Sequence, residues 1–160
     1  MSAHRYAPLL LQGSWFGRIS PELRQSLLDQ AKIVVFSAGQ EIFAYGDESQ
    51  GLYAVVEGCV SVSRYRQDGK EALLTLIDPA NWFGEITLFD KQKRTHRASA
   101  IGESTLLYLD GQSLEQLLTQ HPQYWQEFGL LLTHKMRVLM DMAEDLAVCS
   151  TAQRVAKRLV

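Results

Sequence analysis

The residues with the clearest potential for chemistry are Phe83-Gly84-Glu85 and, nine residues after the glutamate, Arg94-Thr95. A glycine lets backbone amides approach a ligand closely, and a guanidinium binds a phosphate through paired, charge-assisted hydrogen bonds. A carboxylate repels an anion, so Glu85 is better suited to accept a hydrogen bond from a sugar hydroxyl. The pattern indicates a site for a molecule that carries both a phosphate and a sugar.

The same residues have a simpler interpretation. Gly-Glu is a common dipeptide, and Arg94 could equally form an exposed ion pair worth under ~1 kcal/mol. Residue types and spacing alone leave both interpretations open.

The elements that must position these residues begin with a helix. Ser20 suits the N-cap, Pro21 the first helical position, and Glu22 the positive end of the helix dipole. Leucines then recur at helical spacing as far as Ala31.

From about Ile33 to Asp110 short β-rich runs alternate with turn residues. Asp68-Gly69 separates two such runs and predicts a hairpin. Residues 85–89 are predicted to form a short helix that follows Gly84. A series of closely spaced short strands is typical of an antiparallel sandwich or jelly roll. The predicted strands are Ile33–Phe36, Glu41–Ala44, Leu52–Val56, Val60–Tyr65, Ala72–Ile77, Arg97–Ile101 and Thr105–Leu109.

After Gly111 the apolar period is helical again, with one helix over Ser113–Gln120 and a long one from Pro122 to the end. Its apolar residues form a narrow seam of the coiled-coil kind. The seam can face the domain's own sheet, or the same helix of a second copy, and its length favours the second copy. The seam comprises Leu132, Met136, Leu139, Met142, Leu146 and Cys149.

Net charge, apolar runs and residue spacing argue against several classes of function for this chain. A net charge of -2 gives no basic surface for nucleic acid, so any DNA contact is expected in a domain that these residues do not contain. The chain shows no run able to span a bilayer and no secretory signal, which predicts a cytoplasmic protein without membrane contact. We find no nucleophile–base pair and no metal-type spacing of the two cysteines, so we predict neither an enzyme nor a bound cofactor or metal.

The segment from Phe83 to Ala100 resembles the phosphate-binding cassette of cyclic-nucleotide-binding domains. It has Phe-Gly-Glu, a short apolar helix, Arg-Thr, and then small residues that enter a strand. The upstream glycines Gly39, Gly46 and Gly58 follow the same family pattern. Over nearly its whole length the chain is similar to the sensor half of the CRP/FNR (catabolite activator and fumarate–nitrate regulator) family of bacterial transcription regulators.

This resemblance implies an α+β fold: an antiparallel β jelly roll (double-stranded β-helix) flanked by N-terminal helices and a long C-terminal dimerisation helix. The implied division is a helical segment over 1–31, a β-roll over 32–110 and C-terminal helices over 111–160, with a helix-turn-helix DNA-binding domain absent from this chain. The implied function is ligand sensing by a homodimer. The implied ligand is a cyclic nucleotide, with cAMP favoured over cGMP.

The resemblance also implies residue roles. Ligand contacts are expected at Gly84, Glu85, Ile86, Arg94 and Thr95. Apolar walls are expected at Val56, Leu74, Ala98, Leu139 and Met140.

The chain departs from the family pattern in three places. Ala80 replaces a usual glycine, and His96-Arg97 replace usual small residues, which makes Arg97 a possible competitor of Arg94. Leu139-Met140 are apolar where polar residues often read the base. Two alternative functions therefore stay open. The fold could sense a non-nucleotide ligand or none, or the chain could be a nucleotide-binding module of a channel, kinase or transporter.

Overall fold

A computed structural model describes the backbone of residues 1–48 and 51–158, and the side chains of these residues except 149–151, 154, 157 and 158. In this part of the chain, helices lie at both ends and strands fill the middle. The helices are a 3-10 helix Ala3–Tyr6, α1 Ala7–Leu10, α2 Pro21–Gln30, α3 Ile86–Asp90, α4 Gly111–Gln120 and α5 Tyr124–Arg158. The strands are β1 Lys32–Phe36, β2 Glu41–Phe43, β3 Leu52–Glu57, β4 Val60–Tyr65, β5 Glu71–Ile77, β6 Trp82–Phe83, β7 Arg97–Ala100 and β8 Ser104–Leu109.

The strands form two four-stranded sheets with the orders β1-β8-β3-β6 and β2-β7-β4-β5. Neighbouring strands are antiparallel, and β4 and β5 form the hairpin predicted at Asp68-Gly69, with Tyr65 opposite Glu71. The predicted α+β fold with an antiparallel jelly roll is confirmed.

Side-chain alternation along β3 separates two cores. Leu52, Ala54 and Val56 pack against the helices, whereas Tyr53 and Val55 point into the space between the sheets. Because successive residues of a strand face opposite sides, one buried strand can serve both cores. The first set belongs to what we call the helix-side core, and the second to the roll interior.

Aromatic rings fix the start of α5 on the helix-side core. Trp82 contacts Trp15 and Phe16, with ring centroids 5.5 Å and 5.7 Å apart, and Trp15 also contacts Phe128 of α5 at 5.3 Å. The indole Nε1 of Trp15 donates to the backbone carbonyl of Glu127 over 2.7 Å. These contacts hold the first turns of α5 beside β6, which runs directly into Gly84.

The later part of α5 leaves the domain. From Met136 to Val148 every residue is exposed, including the predicted seam residues Met136, Leu139, Met142 and Leu146. Leu132 is half-buried, and the side chain of Cys149 lies outside the described residues. Among the helices that the structure describes, none has the length and apolar character needed to cross a membrane.

The 3-10 helix Ala3–Tyr6 and α1 lie within the helical segment expected over 1–31, although only the helix that begins after Ser20 was predicted individually. β6 was not predicted, because it is only two residues long, too short for a periodic pattern. Ala80, just before β6, has a φ of 73°. A left-handed backbone at this position explains why a glycine is expected there.

Candidate functional site

The backbone of Arg94 is fixed where the segment between α3 and β7 crosses the turn after β2. Its amide donates to the carbonyl of Asp47 over 2.8 Å, and its carbonyl accepts from the amide of Gly46 over 2.9 Å. These two hydrogen bonds hold the residue at the edge of the roll, so its side chain is directed inward by the fold.

The Arg94 guanidinium is buried, with 3% of the residue exposed. Nη1 donates to the carbonyl of Gly84 over 2.9 Å and Nη2 to the carbonyl of Gly51 over 2.7 Å. The guanidinium carbon lies 4.2 Å from the ring centroid of Phe43, a cation–π contact. The buried Nε has no hydrogen-bond partner among the described residues.

The positively charged guanidinium of Arg94 therefore donates its hydrogen bonds to neutral carbonyls. Burial lowers the pKa of Arg94 below its ordinary value, because desolvation penalises the charged form. An arginine nevertheless stays protonated in proteins. A buried charge with an unpartnered N–H is costly unless an anion compensates it, so the arrangement favours an anionic ligand.

Gly84 makes room for this guanidinium. Its φ is 93°, in the left-handed region, and a Cβ there would lie 2.8 Å from Nη1 of Arg94 and 2.9 Å from the carbonyl oxygen of Gly51. The predicted need for a glycine thus has two physical causes, the backbone conformation and the packing of the arginine.

Glu85 is also buried, with 2% of the residue exposed. Each of its carboxylate oxygens lies 2.8 Å from Nζ of Lys135, in α5. Lys135 was not among the predicted site residues, because it lies fifty positions after Glu85 in the chain. The helical spacing offers one signal in retrospect, since Lys135 lies one turn before the predicted wall residue Leu139.

The other two predicted ligand contacts are at the surface. Ile86 begins α3 with an exposed side chain, so only its backbone amide is directed by the helix start. The Thr95 hydroxyl lies 2.9 Å from Nδ1 of His96. The roles of both residues stay predictions.

The five predicted wall residues do not lie together. Ala98 is fully buried in the roll interior, opposite Phe43 in the sheet. Val56 packs in the helix-side core, so it lies on the far face of β3 from the roll interior. The alternation of the strand makes Val55 the β3 residue that faces inward.

The remaining three wall residues are exposed. Leu74 on β5 lines an open groove together with His96. Leu139 and Met140 are 48% and 64% exposed on α5. Their roles as walls stay predictions.

Aromatic side chains surround the buried arginine, and two of them, Phe43 and Tyr53, were not predicted as site residues. Tyr53 stacks on Phe83 with centroids 5.3 Å apart, and Phe43 lies 6.1 Å from Phe83. Burial is the main cause that raises the pKa of the Tyr53 hydroxyl, and the charge of Arg94 partly opposes it. A low-dielectric wall of this kind strengthens any ion pair that forms at Arg94.

Arg97, the alternative cation, serves a different purpose. Its Nε donates to Glu41 over 2.7 Å and its Nη1 to Glu71 over 3.3 Å. Both partners are carboxylates, so Arg97 is already compensated by the sheet. Arg94, in contrast, donates to the backbone carbonyls of Gly84 and Gly51.

The formal charges of Arg94, Lys135 and Glu85 sum to one positive charge. Such a site can bind a monoanion, and the carboxylate of Glu85 can accept a hydrogen bond from a hydroxyl of the same ligand. The described residues contain no group of three His, Cys, Asp or Glu side chains that could hold a metal ion.

Comparisons with known proteins agree with this geometry. Residues 33–121 match the family model "Cyclic nucleotide-binding domain". The chain is 30% identical over 152 residues to a CRP-like cAMP-activated global transcriptional regulator of Mycobacterium tuberculosis, covering 95% of this chain and 68% of that protein.

Two solved structures are also similar. The N-terminal domain of a transcriptional regulator from Streptomyces coelicolor A3(2) has a TM-score of 0.68 and 28% identity, covering 84% of this chain and 94% of that one. The catabolite activator protein of Thermus thermophilus has a TM-score of 0.69 and 30% identity. That match covers 82% of this chain and 62% of the Thermus chain.

The packing of Arg94 against Gly84 can be tested by adding one methyl group. Gly39→Ala is the matched control, because Gly39 also has a left-handed φ of 77° but open space around the added Cβ. We expect Gly39→Ala to lower the free energy of unfolding by about 1 kcal/mol, from backbone strain alone. Gly84→Ala should lower it by a further ~1–2 kcal/mol, because the guanidinium must move.

Chemical denaturation of the two variants measures this difference. Equal losses of stability would contradict the close packing of the guanidinium on Gly84.

Proposed function

Because the chain belongs to the cyclic nucleotide-binding domain family and is a CRP-like ligand-sensing regulatory domain, we propose that the cleft around Arg94 is its nucleotide site. The cyclic phosphate would replace the carbonyls of Gly84 and Gly51 as the partner of the guanidinium. The ribose would lie beside Glu85. One observation carries the proposal: Arg94 is buried with neutral acceptors and an unpartnered Nε.

Charge matching supports the phosphate contact. A cyclic phosphodiester carries one negative charge, and Arg94, Lys135 and Glu85 together carry one positive charge. The ligand would therefore neutralise the site without leaving an excess charge buried. Charge-assisted pairs of this kind are roughly twice as strong as neutral hydrogen bonds.

Glu85 supports the ribose contact and links it to α5. A carboxylate has room for about four hydrogen bonds, so Glu85 can accept from a ribose 2′-hydroxyl while it keeps Lys135. Any movement of Glu85 on binding would then act on the helix through a direct ion pair. The ligand would shift the position of α5 only if it binds one position better than the other.

We propose cAMP as the nucleotide, because relatives such as the Mycobacterium tuberculosis regulator are named cAMP-activated. The structural support is for the phosphate and ribose contacts, since the side chains of Leu139 and Met140 offer the base no hydrogen bond. The cytoplasmic location stays a prediction.

We further propose that the chain acts as a homodimer through α5 and regulates DNA binding by a domain outside these residues. The helix is 35 residues long, and its residues from Met136 to Val148 are exposed. A long exposed apolar seam is stabilised when it packs against a second helix. The two α5 helices would carry the signal away from the roll.

Arg94→Gln tests the nucleotide site. Removal of one partner of a buried charge pair costs 2–5 kcal/mol, so cAMP affinity should fall about thirtyfold or more. Arg97→Gln is the control. It removes the same charge from a nearby arginine whose side chain forms ion pairs with Glu41 and Glu71. Its affinity should stay within about twofold of the unsubstituted protein.

Isothermal titration calorimetry measures both variants, with circular dichroism to confirm that they are folded. The site is misassigned if Arg94→Gln binds cAMP like the unsubstituted protein. An unsubstituted protein that binds no cyclic nucleotide at millimolar ligand would instead favour a sensor of another ligand on the same fold.

Leu139→Glu tests the dimer. A carboxylate in the centre of the seam must be desolvated beside its symmetry mate, so the variant should sediment as a monomer. Arg137→Glu is the control, because it introduces the same side chain about 200° around the helix from Leu139. We expect it to remain a dimer in analytical ultracentrifugation, and an unchanged mass for Leu139→Glu would place the seam elsewhere.

A further inference from the structure

A second feature of the roll lies beside the Arg94 site and has no part in the phosphate and ribose contacts. It is an open groove of about 650 Å³ at the end of the β4–β5 hairpin. Its size is that of a small-molecule pocket. The groove is lined by Arg64, Tyr65, Arg66, Gln67, Asp68, Ala72, Leu73, Leu74 and His96.

Strand register shows that part of this groove continues the roll interior. Val62 lies opposite Ala98, and Ser63 lies opposite Arg97. Because alternate residues of a strand face the same side, Arg64 shares the face of Val62, which lies opposite the roll-interior residue Ala98. His96 comes directly before β7 and lines the groove together with Arg64. The groove therefore lies at the end of the sheet face that carries Ala98.

Arg64 is held in place by Tyr45. Its Nη2 donates to the Tyr45 hydroxyl over 3.1 Å, and its guanidinium carbon lies 4.6 Å from the Tyr45 ring centroid. Arg94 contacts Phe43 in the same way, at 4.2 Å. Two aromatic residues, two positions apart at the end of β2, therefore each support one guanidinium.

The path from the phosphate site to the groove is short. Thr95 follows Arg94, and its hydroxyl lies 2.9 Å from the ring of His96. Tyr45 precedes Gly46, whose amide donates to the carbonyl of Arg94 over 2.9 Å. A ligand whose phosphate lies at Arg94 can thus extend its flat end toward Arg64.

The chemistry of the groove suits a purine. Leu74 and His96 line the groove with apolar and flat surface for a ring. An arginine fork donates to the N7 acceptor that both purines present. Guanine adds a second acceptor, O6, whereas adenine presents an amino group there. The groove's other arginine, Arg66, lies 3.7 Å from Asp68 in an exposed ion pair.

We propose that Arg64, supported by Tyr45, is a specificity-determining residue that contacts the purine ring of the bound nucleotide. The proposal rests on the proposed nucleotide site. It assigns base recognition to β4 rather than to the apolar pair Leu139 and Met140 of α5. A cyclic pyrimidine nucleotide lacks N7, so it cannot make this contact.

Calorimetric titration of cAMP, cGMP and cyclic CMP into the unsubstituted protein and into Arg64→Met tests the inference. Methionine keeps the length of the side chain and removes its donors. We expect Arg64→Met to weaken cAMP about tenfold and cGMP by more, with a change under about twofold for cyclic CMP. Arg66→Met, which removes the neighbouring charge of the same groove, should change none of the three by more than about twofold.

Equal losses for all three nucleotides would overturn the inference, because they would reflect the loss of a charge rather than of a base contact. Unchanged affinities for cAMP and cGMP would overturn it as well. In both cases the unsubstituted protein binds cyclic nucleotides, so the proposed function stands. If the unsubstituted protein binds none of the three, the proposed function itself fails.

Discussion

The structure of this site depends on the burial of one guanidinium. Arg94 lies between the ring of Phe43 and the carbonyl oxygens of Gly84 and Gly51, which come from three separate parts of the chain. Each neighbour is constrained by it: Gly84 has no space for a side chain, and the turn after β2 is bound to the backbone of Arg94. A charge in this position is stable only while its donors have partners, so a ligand that supplies an anion gains a large advantage.

The fold connects this charge to the long helix by a short route. Glu85 follows Gly84 directly and forms an ion pair with Lys135, which lies where α5 leaves the domain. The first turns of α5 are fixed by aromatic packing on Trp15, and the later turns are exposed. Along the chain, the helix thus has first a rigid anchor, then a polar contact to the site, and then an exposed apolar surface. This is the order that signal transfer from ligand to partner requires.

The sequence predicted the strands well because their signal is local. Val60–Tyr65 was predicted with both of its ends, since β-branched residues and turn glycines bound it. The two-residue strand Trp82–Phe83 is too short to show a periodic pattern. Val56 packs on the helix side of β3, and a local pattern does not indicate which side of a strand the helices cover. The Glu85–Lys135 pair joins segments fifty residues apart, so a single sequence carries no signal for it.

The claim that the buried guanidinium is the anion site can be tested most directly at its unpartnered Nε–H. Nuclear magnetic resonance of isotope-labelled arginine side chains follows this group during titration with cAMP and, separately, with adenosine, which lacks the phosphate. We predict that cAMP shifts the Arg94 Nε–H resonance and that adenosine leaves it in place. Binding of cAMP with an unchanged Arg94 resonance would contradict the assignment.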